Sequence, residues 1–149
     1  MKIKEREANK KRVSGLIRQT FHNVLKCSHD PAEKRPHRNV KYMLMDYCLD
    51  HGLDFHTESS FNNGERADFI ISDWAVIFEV LNSEDERRFK SKTYPLPVIP
   101  VSAKIDIFAV QDMLQDLETC NGTNWKYYAK KYWRGNLWTV MMNMTYQKL

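Results

Sequence analysis

Two carboxylates, Asp68 and Glu79, sit where a charge is expensive. Phe69, Ile70 and Ile71 follow Asp68 as a short apolar run bounded by polar turn residues. Ala75 to Leu81 is almost wholly apolar, and Glu79 is the one charge inside it. The pattern reads as a polar loop, a short strand opening on Asp68, a tight turn, and a longer strand covered on both faces. A buried carboxylate without a partner costs several kcal/mol. A divalent cation shared with Asp68 would compensate Glu79. With Ser72 and Asp73 as the two turn residues, Ile71 faces Trp74 and Asp68 faces Ile77. Ile77 and Glu79 share a face, so Asp68 and Glu79 become diagonal neighbours roughly 6–8 Å apart. A three-residue turn would put them on opposite faces, so the metal reading requires a turn of even length.

The segment resembles the PD-(D/E)xK nucleases, the restriction-endonuclease-like superfamily that includes archaeal Holliday-junction resolvases. That signature is an aspartate opening one strand of a hairpin, a glutamate on the next strand, and a lysine two residues later. Asp68 and Glu79 match the carboxylates, and Gly64-Glu65-Arg66-Ala67-Asp68 resembles the preceding loop. The resemblance implies Mg²⁺ or Mn²⁺ held by Asp68 and Glu79, with the Val80 carbonyl as a further ligand. The lysine position is Leu81, a departure from the pattern. Three explanations compete. Lys90 or Lys92 from the following helix reaches the site, or Lys104 does. Alternatively the metal suffices alone. Or the site is silent and the domain only binds.

Around the hairpin, residues 2–26 read as one basic helix, with Val13, Leu16, Ile17, Thr20, Phe21, Val24 and Leu25 at helical spacing. Residues 27–38 read as a loop. Cys27, His22, His29 and His37 lack the paired spacing that zinc needs. Residues 39–51 read as a second helix with an apolar stripe of Val40, Met43, Leu44, Tyr47 and Cys48, stopped by Gly52. Many superfamily members carry a glutamate on this helix. None is present, and Asp46 and Asp50 are the nearest substitutes. Leu53 to Phe61 alternates like a half-buried strand, which makes Glu58 a candidate third metal carboxylate with His56 beside it. Ser83-Glu84-Asp85-Glu86 fits a capping box opening a helix to about Ser91. The proline-rich run from Tyr94 leads into an edge-like strand ending at Ser102. Asp106 caps a helix to Glu118.

The order matches the αβββαβ core of the superfamily. The expected architecture is therefore α/β, a central mixed sheet flanked by helices, in a single domain. Its core is 38–118, its basic helical extension 1–37, and its basic aromatic extension 119–149.

Charge follows the same division. Residues 1–41 hold twelve Lys/Arg and four Asp/Glu, residues 42–122 six and fifteen, and residues 123–149 five and none. Basic ends around an acidic centre suit a polyanion held over a metal site, although solvated surface helices give the same pattern. Lys10, Lys11, Arg12 and Arg66, with Lys126, Lys130, Lys131 and Arg134 of the aromatic tail, are the candidate nucleic-acid contacts. In that tail, aromatics stack on bases while cations hold phosphates, or the whole packs as an amphipathic helix. Val140, Met141, Met142 and Met144 would pack on the core or on the second subunit of a homodimer. Three unpaired cysteines, no signal-peptide pattern and no membrane-length apolar run point to a cytoplasmic setting.

The expected function is metal-dependent endonucleolytic hydrolysis of phosphodiesters, in DNA ahead of RNA, with Lys90 or Lys92 assisting. The alternatives are a silent nuclease-like domain that binds nucleic acid or a protein, and an unrelated α/β protein in which Glu79 pairs with a base such as Arg66.

Overall fold

A computed structural model describes residues 2–27, 35–81 and 92–119. The chain opens with helix α1 (Ile3–Leu16), which turns directly into strand β1 (Ile17–His22). The single helix expected through residue 26 is thus divided. Of its apolar stripe only Val13 is buried in α1. Gly15 weakens the helix near its end, while Ile17, Thr20 and Phe21 favour extended backbone. The edge of the next strand supplies the hydrogen-bond partners that a continued helix would not use.

Helix α2 (Arg35–His51) starts earlier than its apolar stripe suggested, with Pro36 in its first described turn. Gly52 ends it at φ +62°, and the Leu53 N–H donates to the Cys48 carbonyl at 2.9 Å. That is the left-handed stop expected of glycine after a helix. Strands β2 (Phe55–Phe61), β3 (Arg66–Ile71) and β4 (Val76–Leu81) follow as antiparallel neighbours. Strand β5 (Val98–Ser102) lies parallel to β4 at the sheet edge, so a crossover must join them. Helix α3 (Ile107–Thr119) begins as expected: Asp106 Oδ1 accepts the Ala109 N–H at 2.8 Å.

The result is an α/β fold of three helices and one five-strand mixed sheet, ordered β1-β2-β3-β4-β5, with a single parallel pair. Helix α2 packs on β3 and β4 and against α3. Leu44 of α2, Phe69 and Ile70 of β3, and Phe78 of β4 have no exposed surface. Each such side chain contributes roughly 1.5–3 kcal/mol of apolar burial. The helix expected over 83–91 and the extension from residue 120 onward lie outside the described residues.

The β3–β4 turn differs from expectation in length and agrees in parity. Ile71 pairs with Val76, so four residues, Ser72 to Ala75, make the connection. Asp73 is almost fully buried there. Its Oδ1 accepts the Asp54 N–H at 2.7 Å, and its backbone carbonyl accepts Asn9 of α1 at 2.8 Å. Because four is even, Asp68 and Glu79 still share a face, but they stand directly opposite rather than diagonally.

Candidate functional site

The paired residues of β3 and β4 end at Phe69 and Phe78. One position further, side chains replace the backbone ladder. Glu79 Oε1 accepts the Asp68 N–H at 2.9 Å, and Asp68 Oδ2 accepts the Val80 N–H at 2.9 Å. The two carboxylates therefore lock each other's strands and sit side by side. Across β4, Glu79 faces Pro100, which has no N–H to offer the sheet.

Basic side chains converge on the pair from two elements. Lys92, in the segment leading into β5, places its Nζ 3.5 Å from Glu79 Oε2. His37, in the first described turn of α2, places Nε2 3.3 Å from Asp68 Oδ2. One helical turn on, Lys41 has no exposed surface, and its Nζ donates to Glu58 Oε1 at 2.7 Å and to the Lys26 carbonyl at 2.8 Å.

The electrostatics of the two acids diverge. Burial alone would raise the Asp68 carboxyl, but the hydrogen bond and charge of His37, the Val80 amide and Lys41 together hold it below its ordinary value. Burial, reinforced by the Asp68 charge, pushes Glu79 up to about 8 against the opposing pull of Lys92. Neighbouring carboxylates with separated proton affinities are a common feature of sites that hold cations or move protons. Tyr94, buried beside them, is driven upward by burial and by the charges of Glu79 and Asp68.

Glu58 is adjacent but differently engaged. The β2–β3 register would set it opposite Asp68, yet it drops out of the pairing with φ +46°. Its carboxylate accepts Lys41 at 2.7 Å and Arg66 at 3.2 Å. Among the described residues, no three His, Cys, Asp or Glu side chains are grouped to hold a metal ion. Glu58 is thus not gathered with Asp68 and Glu79 into one ligand set. A small hard cation such as Mg²⁺ still fits two carboxylates, since it commonly keeps several waters and takes further ligands from substrate phosphates.

Of the other expected residues, Asp46 and Asp50 are exposed on α2, and Lys104 is exposed in the turn after β5. Lys11 and Arg12 are exposed on α1. Lys10 points elsewhere: its Nζ lies 3.1 Å from Asp54 and 3.8 Å from Asp73, pinning α1 to the closed end of the hairpin. The pairing proposed for Glu79 with Arg66 is replaced by one with Lys92. His56 is buried and stacks on His22 with centroids 4.7 Å apart. Lys90, Lys126, Lys130, Lys131 and Arg134 lie outside the described residues.

Sequence reasoning passed over Lys41 and weighed His37 only as a zinc ligand in a loop, although a signal for both existed. Both fall in the helical register that Leu44 and Cys48 continue, so each interrupts the apolar face that must meet the sheet. No protein-family model matches the chain, and no curated protein or solved structure matches it significantly.

Proposed function

We propose that this protein is a metal-dependent phosphodiesterase acting on nucleic acid, DNA ahead of RNA, built on a restriction-endonuclease-like core. The observation that carries the reading is the side-by-side pair of Asp68 and Glu79 on adjacent strands, with Lys92 3.5 Å from Glu79. The described element order supports it: α2, three antiparallel strands and a β5 parallel to β4 followed by α3 agree with the αβββαβ pattern at every element except the helix between β4 and β5, which falls outside the described residues.

Each residue has a role. Asp68 and Glu79 would hold Mg²⁺ or Mn²⁺, with the Val80 carbonyl beside them. The bound ion would lower the pKa of its water and offset charge on the scissile phosphate. Lys92 takes the part of the lysine that Leu81 replaces, orienting the attacking water and stabilising developing charge. His37 and Lys41 keep Asp68 ionised. Exposed Lys11 and Arg12 hold the phosphate backbone without reading sequence.

A second reading has its own support. The Asp68 and Glu79 oxygens already accept strand amides and face His37 and Lys92. Such satisfied carboxylates also suit a silent domain that binds nucleic acid or a protein. Cleavage of supercoiled plasmid, single-stranded DNA and RNA in Mn²⁺ separates the two. Hydrolysis by the wild type that is lost in both Asp68→Ala and Glu79→Ala establishes the enzyme. Folded wild-type protein that shifts DNA in a gel and cleaves nothing establishes the binding domain.

A further inference from the structure

A polar groove of about 500 Å³ opens at β1, β2 and the start of β3, lined by Arg18, Phe21, Lys26, Glu58, Ser60 and Arg66. Its origin is a double loss of register. Phe21 pairs with Thr57 and Gln19 with Ser60, so β2 carries an extra residue there; Ile17 then pairs with Phe61, so β1 carries the next. Such bulges bend strands and re-aim side chains. Glu58, with its left-handed backbone, lies at the first bulge, and Arg18 at the second.

Its charge is one-sided. Arg18, Lys26 and Arg66 are three cations against the single anion Glu58, and buried Lys41, 2.7 Å behind, balances Glu58. Phe21 is 37% exposed, and the Lys26 ammonium lies 5.6 Å from its centroid. The arrangement pairs a stacking surface with phosphate-binding cations. Lys41 connects the groove electrostatically to the carboxylate site, because it bonds Glu58 and acts on Asp68.

We infer that this groove binds an unpaired nucleic-acid strand, with a base on Phe21 and phosphates on Lys26 and Arg18, and feeds it towards Asp68 and Glu79. The single strand follows from the aromatic ring. A base inside a duplex has both faces stacked and cannot lie on Phe21, whereas every unpaired base has a face to offer. The inference rests on nucleic acid being the substrate of the carboxylate site.

The test is fluorescence anisotropy of a labelled oligothymidylate and of a labelled duplex, in EDTA, across a salt series. EDTA removes hydrolysis, so this result stands apart from the cleavage assay. Arg18→Gln with Lys26→Gln is expected to weaken single-strand binding at least tenfold and to reduce the salt slope by about 1.4, two phosphate contacts at about 0.7 each. Phe21→Ala is expected to weaken it about tenfold and Phe21→Tyr hardly at all. Duplex affinity should change little. The three side chains changed, Arg18, Phe21 and Lys26, are at the surface, and circular dichroism checks that the variants fold. Unchanged oligothymidylate affinity in either variant, or an equal loss for the duplex, overturns the inference. Absence of cleavage by the wild type, with this binding pattern intact, would refute the hydrolase and leave the groove.

Discussion

The Lys92 ammonium lies 3.5 Å from Oε2 of Glu79, reaching it from the segment before β5 rather than from β4 itself. Leu81 stands two residues after Glu79, where the resemblance called for a lysine, and is buried. A cation delivered from a neighbouring segment can supply the same charge at the same carboxylate. Lys92→Met is therefore expected to lower single-turnover cleavage by roughly 10²–10³-fold, the scale of losing one charge-stabilising donor. Lys92→Arg should retain part of the rate. Equal rates for Lys92→Met and wild type would remove Lys92 from the chemistry.

Glu79 yields a prediction of definite sign. Its folded-state pKa, near 8, is above the ordinary glutamate value. The folded state therefore binds the proton more tightly, and this contribution to stability is present at low pH and lost as pH rises through about 8. Glu79→Gln removes the titration and keeps an oxygen for the Asp68 amide. The stability difference between variant and wild type, from urea melts without metal, should shift in favour of the variant from pH 5 to pH 9. A pH-independent difference would show that Glu79 is not perturbed.

The same proton competes with a cation. Below about pH 8 a metal must displace it from Glu79, so Mn²⁺ affinity should rise up to tenfold per pH unit and then level off. Calorimetry in buffers of different ionisation enthalpy should show about one proton released near pH 6. Affinity that is flat from pH 6 to 8, or equally strong in Glu79→Gln, counts against a Glu79 ligand.

Lys41 should be a stability residue as well as a positioning one. Lys41→Met leaves Glu58 without its closest partner and the Lys26 carbonyl without its donor. Breaking a buried pair from one side typically costs about 3–5 kcal/mol. Arg66 remains 3.2 Å from Glu58, which places the expected loss at the lower end. Adding Glu58→Gln should recover part of it. A double-mutant cycle with no coupling would dissociate the two.

The β1 edge should loosen in acid. Burial, and the charge of stacked His22, push His56 down to about 4. A depressed histidine stabilises the fold above its unfolded pKa, near 6.5, and that stability disappears as pH falls towards 4. The contribution is on the order of 3 kcal/mol. His56→Asn, which preserves an acceptor for Thr20, should flatten the acid limb of a melting profile between pH 6.5 and 4. Hydrogen exchange at Phe21 and His22 should quicken over the same range in the wild type only.

Much of the sheet was legible because its signals are local. Glu79 was recognisable as a problem because the five other, apolar residues of its strand left nowhere for its charge to go, and all of β4 is buried. Gly52 and Asp106 announced the end of one helix and the start of another through backbone and capping chemistry. The amino-terminal stretch misled for an equally physical reason. Ile17, Thr20 and Phe21 satisfy a helical spacing, but the unpaired edge of β2 recruited them as a strand, and no local pattern contains that edge.

Sequence alone determined that two carboxylates would lie on neighbouring strands of a hairpin, and that they would share a face if the turn had an even length; the structure supplied that parity. The turn's actual length of four followed from tertiary contacts, with Asp73 buried against Asp54 and α1. Tertiary structure also decided which cations answer the carboxylates. Lys92 was one of several lysines within reach along the chain, His37 read as a loop residue, and Lys41 was a polar residue on a helix. Docking of α2 on β3 and β4 brings His37 to Asp68 and Lys41 to Glu58, and the segment leading into β5, which pairs with β4, brings Lys92 to Glu79. The reason is that an ion pair depends on distance in space, whereas sequence spacing fixes distance only within a single helix or strand.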